Sequence, residues 1–215
     1  IRQTFAQIAM PDTVCVGTNR IYKVNAATTP STYTWKIDGI TQSSTSNEIN
    51  ITWNIAGTFL LTVQEHANNG CDGDIRSGLV NVITPPVPNA GPDAVICFEN
   101  TARLNGSGGA FYQWSPSTYL SNSAIANPLI ISPPQGRLTY FLNVINASGC
   151  KSVISDTVVI TILPPVKVFA GNDTSIAVNQ TFQLNAVDVN NSGFINYLWS
   201  PPSGLNNNSI KNPVA

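Results

Sequence analysis

The sequence predicts an all-β protein built from tandem antiparallel β-sandwiches. Apolar residues alternate over short runs, turn residues break those runs roughly every 8 to 12 positions, and no helical stripe exceeds two turns. A third observation is stronger, because one residue plan recurs along the chain. With 215 residues there is room for one large domain or two to three small ones. Charged residues make up 10% and hydrophobic residues 42%, a balance too apolar for a disordered chain. Ten basic against eleven acidic residues give a net charge of -1, which argues against nucleic-acid binding and polybasic membrane attachment. No apolar run reaches the roughly 18 residues that cross a bilayer as a helix, Val158 to Leu163 being the longest of that character.

The repeat fixes the order of elements. Ala90-Gly-Pro-Asp93, Leu104-Asn105, Tyr112-Gln-Trp114-Ser-Pro116, Leu120, Ile125 and Asn127-Pro128 recur as Ala170-Gly-Asn-Asp173, Leu184-Asn185, Tyr197-Leu-Trp199-Ser-Pro201, Leu205, Ile210 and Asn212-Pro213. The offset grows from 80 to 85 across a Val-Asn-Asn-Ser-Gly turn, and insertions belong in exposed loops. A more distant copy comes first, with Pro11-Asp12, Cys15-Val-Gly17, Tyr33-Thr-Trp35, Gly70-Cys71 and Pro85-Pro86. The organisation read from this is an N-terminal segment 1–9 and repeats at 10–86, 89–165 and 168–215, joined by short, extended, stiff proline linkers. In the first repeat the predicted strands are Ile21–Val24, Tyr33–Ile37, Ile49–Trp53 and Phe59–Val63; in the second they include Thr139–Asn146 and Val158–Leu163. The third repeat has no counterpart of those last two, so it is expected to be a poorly packed part of a longer protein.

The four cysteines divide between the first two repeats. Cys15 with Cys71 and Cys97 with Cys150, separated by 56 and 53 residues at equivalent positions, predict one bridge inside each repeat. Each would be worth roughly 4 kcal/mol to a domain too small to rely on its core alone. Reduced thiols and a metal site are the alternatives, the latter disfavoured by a single histidine. Bridges would imply an oxidising compartment. Ile1-Arg-Gln-Thr-Phe-Ala-Gln7 fits either the end of a signal peptide cleaved after Ala6 or an ordinary N-terminal strand.

Asp-Thr-Val-Cys-Val-Gly, Tyr-Thr-Trp-Lys-Ile-Asp-Gly and Asn-Asn-Gly-Cys in the first repeat, with Asn-Ala-Gly-Pro-Asp, Tyr-Gln-Trp-Ser-Pro and Ser-Gly-Cys in the second, resemble the PKD-like immunoglobulin-like repeats of large secreted Bacteroidota proteins. The resemblance covers nearly the whole chain and implies immunoglobulin-like sandwiches, export by type IX secretion, and a gliding-motility-associated context. Trp35-Lys-Ile-Asp38-Gly39 only echoes the family's fuller Trp-x-Phe-Gly-Asp-Gly turn, which puts the chain nearest the degenerate branch.

Candidate chemistry is sparse. His66 with Glu65 and Asp74 could form a small cluster, but a lone histidine near a strand end is usually a surface residue. Ser107 in Asn-Gly-Ser-Gly-Gly lacks a nucleophile motif and a following helix. Asp72, Asp74, Asp12, Asp93 and Asp173 could ligate calcium, although Asp93 and Asp173 read more simply as turn caps. Tyr33, Trp35, Tyr112, Trp114, Tyr197 and Trp199 are assigned to the cores rather than to a sugar platform. Asn50-Ile-Thr52 and Asn146-Ala-Ser148 match the N-glycosylation pattern. Asp12-Thr13-Val14 and Asp156-Thr157-Val158 resemble the O-glycosylation signal of Bacteroidota.

The sequence thus predicts no catalytic residues, metal or cofactor. It predicts an extracellular repeat region acting as stalk, spacer or adhesive scaffold, monomeric within a longer chain, toward an extracellular protein or polysaccharide. The alternative is an accessory carbohydrate-binding module of a polysaccharide-degrading enzyme, which would expose Trp53 or Tyr119 in a groove.

Overall fold

The computed structural model describes residues 11–25 and 30–215. Segment 1–9, and with it the signal-peptide question, lies outside the described residues. The chain divides into two compact units. The first takes the chain through 92 together with 103–130 and 139–158, and the second takes 93–102, 131–138 and 159–215. The division cuts through the second repeat and does not follow the repeat borders.

The first repeat is a two-layer sandwich. One layer has five strands in the order β1-β7-β6-β3-β4: β1 (Asp12–Cys15), β3 (Ser31–Ile37), β4 (Ile40–Thr41), β6 (Gly57–Ala67) and β7 (Arg76–Ile83). The other pairs β2 (Thr18–Lys23) with β5 (Glu48–Trp53). Period-2 alternation decides what faces inward. On β5, Ile49, Ile51 and Trp53 are buried while Glu48, Asn50 and Thr52 face solvent. Tyr33 and Trp35 of β3, Leu61 and Val63 of β6, and Val80 and Val82 of β7 complete the core with Tyr22 and Val24. All pairings in the larger layer are antiparallel except β1 with β7, which run parallel with Cys15 opposite Ile83.

Asp12 is a buried carboxylate, and its satisfaction explains its place. It accepts hydrogen bonds from the Tyr22 hydroxyl at 3.0 Å and from Arg20 at 3.2 Å, and Tyr22 accepts from the Trp53 indole at 3.1 Å. Burial, followed by the hydrogen bond and charge of Asp12, pushes the Tyr22 phenol well above the ordinary tyrosine range.

The second repeat reuses the plan. β8 (Ala94–Cys97), β10 (Phe111–Ser115), β12 (Gly136–Ile145) and β13 (Asp156–Leu163) form a sheet in the order β10-β12-β13-β8, and β9 (Ala102–Arg103) pairs with β11 (Leu129–Ile130). Trp35 lies opposite Val63 and Trp114 opposite Leu142, an offset of 79 for both partners. β8 runs parallel to β13 with Cys97 opposite Leu163, as Cys15 lies opposite Ile83. One aligned pair does not coincide. Asp12 faces Val80 inside the ladder, whereas Ala94 occupies that place in the second repeat, so Asp93 precedes its strand and is exposed.

In the third repeat β14 (Val168–Phe169) pairs with β15 (Val187–Asp188), and Gln183 bridges Val214. The tryptophan anchor is common to all three. Trp35, Trp114 and Trp199 each donate an indole N–H to the carbonyl eleven residues ahead, on Ser46, Ile125 and Ile210 at 2.8, 3.0 and 3.0 Å. Burial is not common to all three. Tyr33, Trp35 and Trp114 are buried, whereas Tyr112, Tyr197 and Trp199 are only half-buried. Residues 168–215 contain no partner for β10-type packing like that of β12 and β13, so Leu198 and Ile195 are left exposed.

Two outcomes follow. Trp35→Ala should cost about 3–5 kcal/mol in urea unfolding, and Trp199→Ala under about 1. Because the Tyr22 and Tyr140 phenols are held neutral by burial, their stabilisation is full below the unfolded tyrosine range and is lost as pH rises through it. Unfolding midpoints should therefore fall from about pH 10 upward, less steeply in Tyr22→Phe.

Candidate functional site at the repeat junction

The expected bridges inside each repeat do not form. Cys15 ends β1 beside Ile83, at the exit end of β7, and Val16 N–H donates to the Ile83 carbonyl at 2.9 Å. Cys71 sits in the turn before Arg76, at the entry end of the same strand. Seven residue steps of β7 separate the ends by about 23 Å, and a disulfide allows only about 4.4–6.8 Å between Cα atoms. Cys97 and Cys150 are likewise placed at opposite ends of β13. The bond that forms is Cys15–Cys150, with Cα atoms 5.6 Å apart, and it joins the first repeat to the second. Cys71 and Cys97 are exposed free thiols.

The linker reinforces that joint. Asn89 and Ser107 exchange backbone hydrogen bonds at 3.1 and 2.8 Å, Asp156 accepts from Ala90 N–H at 2.8 Å, and the Asn146 amide donates to the Thr84 carbonyl at 3.4 Å. Within the Asn-Gly-Ser-Gly-Gly segment, Gly108 admits the linker backbone, while Gly106 and Gly109 admit close neighbours from the second repeat itself. A Cβ on Gly108, whose φ is +98°, would collide with the Val87 carbonyl; one on Gly109 would lie 2.6 Å from Val144 Cβ; and one on Gly106 would lie 2.8 Å from the Trp114 ring. The linker is held against the second repeat by these hydrogen bonds and this close approach.

Other candidates resolve into structural roles. His66 meets Asp72, not Asp74: its Nδ1 lies 2.6 Å from Asp72 Oδ1 and its Nε2 lies 2.9 Å from Thr34 Oγ1. The alignment of hydroxyl, imidazole and carboxylate is that of a relay, but Thr34 lies mid-strand in β3, and the chain of bonds ties the Cys71 turn to the sheet. Asp93, just ahead of β8, accepts from Val159 N–H of β13 at 2.8 Å, a bond to a distant strand and not the local turn cap expected. Among the described residues no three His, Cys, Asp or Glu side chains gather as metal ligands. Trp53 is buried, which removes it as a sugar platform, while Tyr119 is exposed. Thr13, Thr157 and Asn50 are exposed, and Asn146 is half-buried in the junction.

The third repeat carries a groove of about 230 Å³ lined by Val168, Ala186, Phe194, Tyr197 and Trp199. Its inserted turn is organised by Asp188, whose carboxyl is held below the usual range by backbone N–H groups, Ser192 foremost.

Residues 2–82 match the family model of the PKD-like domain. No curated protein matches the chain in sequence. Among solved structures, the fibronectin(III)-like modules of Clostridium thermocellum CbhA align at 13% identity and a TM-score of 0.41, over 76% of this chain and 95% of theirs. An I-band fragment of titin aligns at 14% and 0.45, over 86% and 75%. The Bacteroides ovatus mixed-linkage glucan utilization protein SGBP-B, in complex with a mixed-linkage heptasaccharide, aligns at 20% and 0.31, over all of this chain and 58% of its own. The chain is all-β, with a PKD-like first repeat and tandem immunoglobulin-like sandwich architecture.

Reduction should lower the urea midpoint of the native protein, with a ceiling of about 5 kcal/mol for a loop of this length, and Cys15→Ser should remove the share of that loss that comes from the Cys15–Cys150 bond. Gly108→Ala should leave the amides of β6 protected and speed hydrogen exchange at Asn89 and Ala90, read by mass spectrometry.

Proposed function

We propose that the chain is a non-catalytic, extracellular repeat segment of a bacterial cell-surface or secreted protein, serving as a load-bearing spacer that presents another module. The observation that carries this reading is the covalent and hydrogen-bonded joint between the first two repeats. A connection meant for free reorientation gains nothing from being bolted. A disulfide also fits an oxidising compartment, and low charge suits a surface that should not bind indiscriminately. The resemblance to secreted Bacteroidota repeats makes type IX export and a gliding-motility-associated protein the setting we favour.

Stretching single molecules from their ends tests it. With the bond intact, tension passes from Cys15 directly to Cys150 and spares the 135-residue separation between them. Reduction should then release about 450–490 Å of additional length, in steps that resist extension. Equal lengths in the two states, or featureless extension of the reduced chain, would contradict the proposal.

The aromatic groove of the third repeat favours a second reading, an accessory glycan-binding module. Affinity electrophoresis against soluble β-glucans should then show retardation that Trp199→Ala abolishes; no retardation by any glucan removes it.

A further inference from the structure

Cys71 and Cys97 are built like the two cysteines that do bond. The turn holding Cys150 has Asn146 N–H donating to the Cys150 carbonyl at 2.9 Å, Gly149 N–H to the Asn146 carbonyl at 3.0 Å, a bridge from Ile145 to Lys151, and Gly149 at φ +85°. The turn holding Cys71 has Ala67 N–H donating to the Cys71 carbonyl at 3.0 Å, Gly70 N–H to the Ala67 carbonyl at 2.9 Å, a bridge from His66 to Asp72, and Gly70 at φ +84°. Each member of the second set lies 79 positions before its counterpart. The strand-end cysteines match in the same way. Cys15 faces Ile83 and the next N–H bonds the Ile83 carbonyl at 2.9 Å; Cys97 faces Leu163 and the next N–H bonds the Leu163 carbonyl at 3.1 Å.

The formed bond therefore states a rule, in which the strand-end cysteine of one repeat joins the Gly-Cys turn of the repeat after it. We infer that Cys97 and Cys71 are the two open halves of further bonds of this kind: Cys97 takes a Gly-Cys turn cysteine of a neighbouring repeat, and Cys71 takes a strand-end cysteine of another. Residues 168–215 contain no cysteine, so neither partner lies in the third repeat as it stands here. The partner repeat belongs either to the same polypeptide or to a second copy, in which case Cys71 and Cys97 complement each other. Both thiols are exposed and open to attack.

The chemistry needs an oxidant, and a protein disulfide of the oxidising compartment supplies it. The Cys97 thiolate attacks that disulfide and forms a mixed disulfide, expelling one thiolate. The partner cysteine's thiolate then attacks the Cys97 sulfur and expels the second. Two thiols lose two protons and two electrons, and the oxidant leaves as a dithiol.

The inference rests on the repeat-array reading and is tested separately from it. The full protein is exported from its native host, alkylated under denaturing conditions without reductant, digested and mapped by mass spectrometry before and after reduction. Cys15 should map to Cys150, and Cys71 and Cys97 should resist alkylation. The Cys97 peptide should be joined to one carrying a Gly-Cys pair, and the Cys71 peptide to one carrying a strand-end cysteine. A non-reducing gel assigns the link, a monomer band to the same chain and a reducible ladder to second copies. Alkylated Cys71 or Cys97 beside an intact Cys15–Cys150 link overturns the inference and leaves the spacer reading standing. Cys15–Cys71 and Cys97–Cys150 pairs overturn the inference and also remove the observation on which the spacer reading rests.

Discussion

The parallel ladder between the first and last strands of a repeat governs where its cysteines can reach. Because β1 runs alongside β7 in the same direction, Cys15 is carried to the end where the chain leaves the sandwich. The Cys71 turn is left at the end where β7 begins. A β-strand is too stiff and too long for a disulfide to span it end to end. The only sulfur brought within range of Cys15 among the described residues belongs to the next repeat. What looked like an internal staple is thus a coupling, and the small sandwiches gain support from their neighbours that their own cores supply only in part.

Gly108 serves the same coupling, since a Cβ there would collide with the linker backbone, and Gly106 and Gly109 leave no room for side chains beside Trp114 and Val144. In the third repeat the tryptophan hydrogen bond persists while the burial does not, which separates two contributions that usually travel together. The indole bond is local, closing a span of eleven residues, whereas burial needs strands like β12 and β13 that come later in the order of a repeat.

The fold was legible because alternation and repetition are local signals. Ile49, Ile51 and Trp53 announce an inward face from composition alone, and the Tyr-x-Trp pairs mark equivalent strands whose register the structure repeats at a constant offset. Cysteine connectivity was not legible, because equal positions in two repeats are consistent with bonding inside or between them. Only the direction of β1 distinguishes the two, and strand direction leaves no trace in hydrophobic pattern. The shift that buries Asp12 and exposes Asp93 was legible in the sequence: Asp12 stands three residues before Cys15 and Asp93 four before Cys97, so with both cysteines at the same ladder position the two aspartates fall one step apart. His66 was noticed with the wrong aspartate, since a tight turn brings Asp72, not Asp74, back across to β6.

The bond between Cys15 and Cys150 also closes most of two repeats into one covalent ring. Cutting a ring once opens it without dividing it. A single peptide-bond cleavage anywhere between those two residues, including within the proline linker, leaves both fragments attached through sulfur. The chain can thus be nicked there by a protease and still remain one molecule, with whatever lies on either side of the break still tethered.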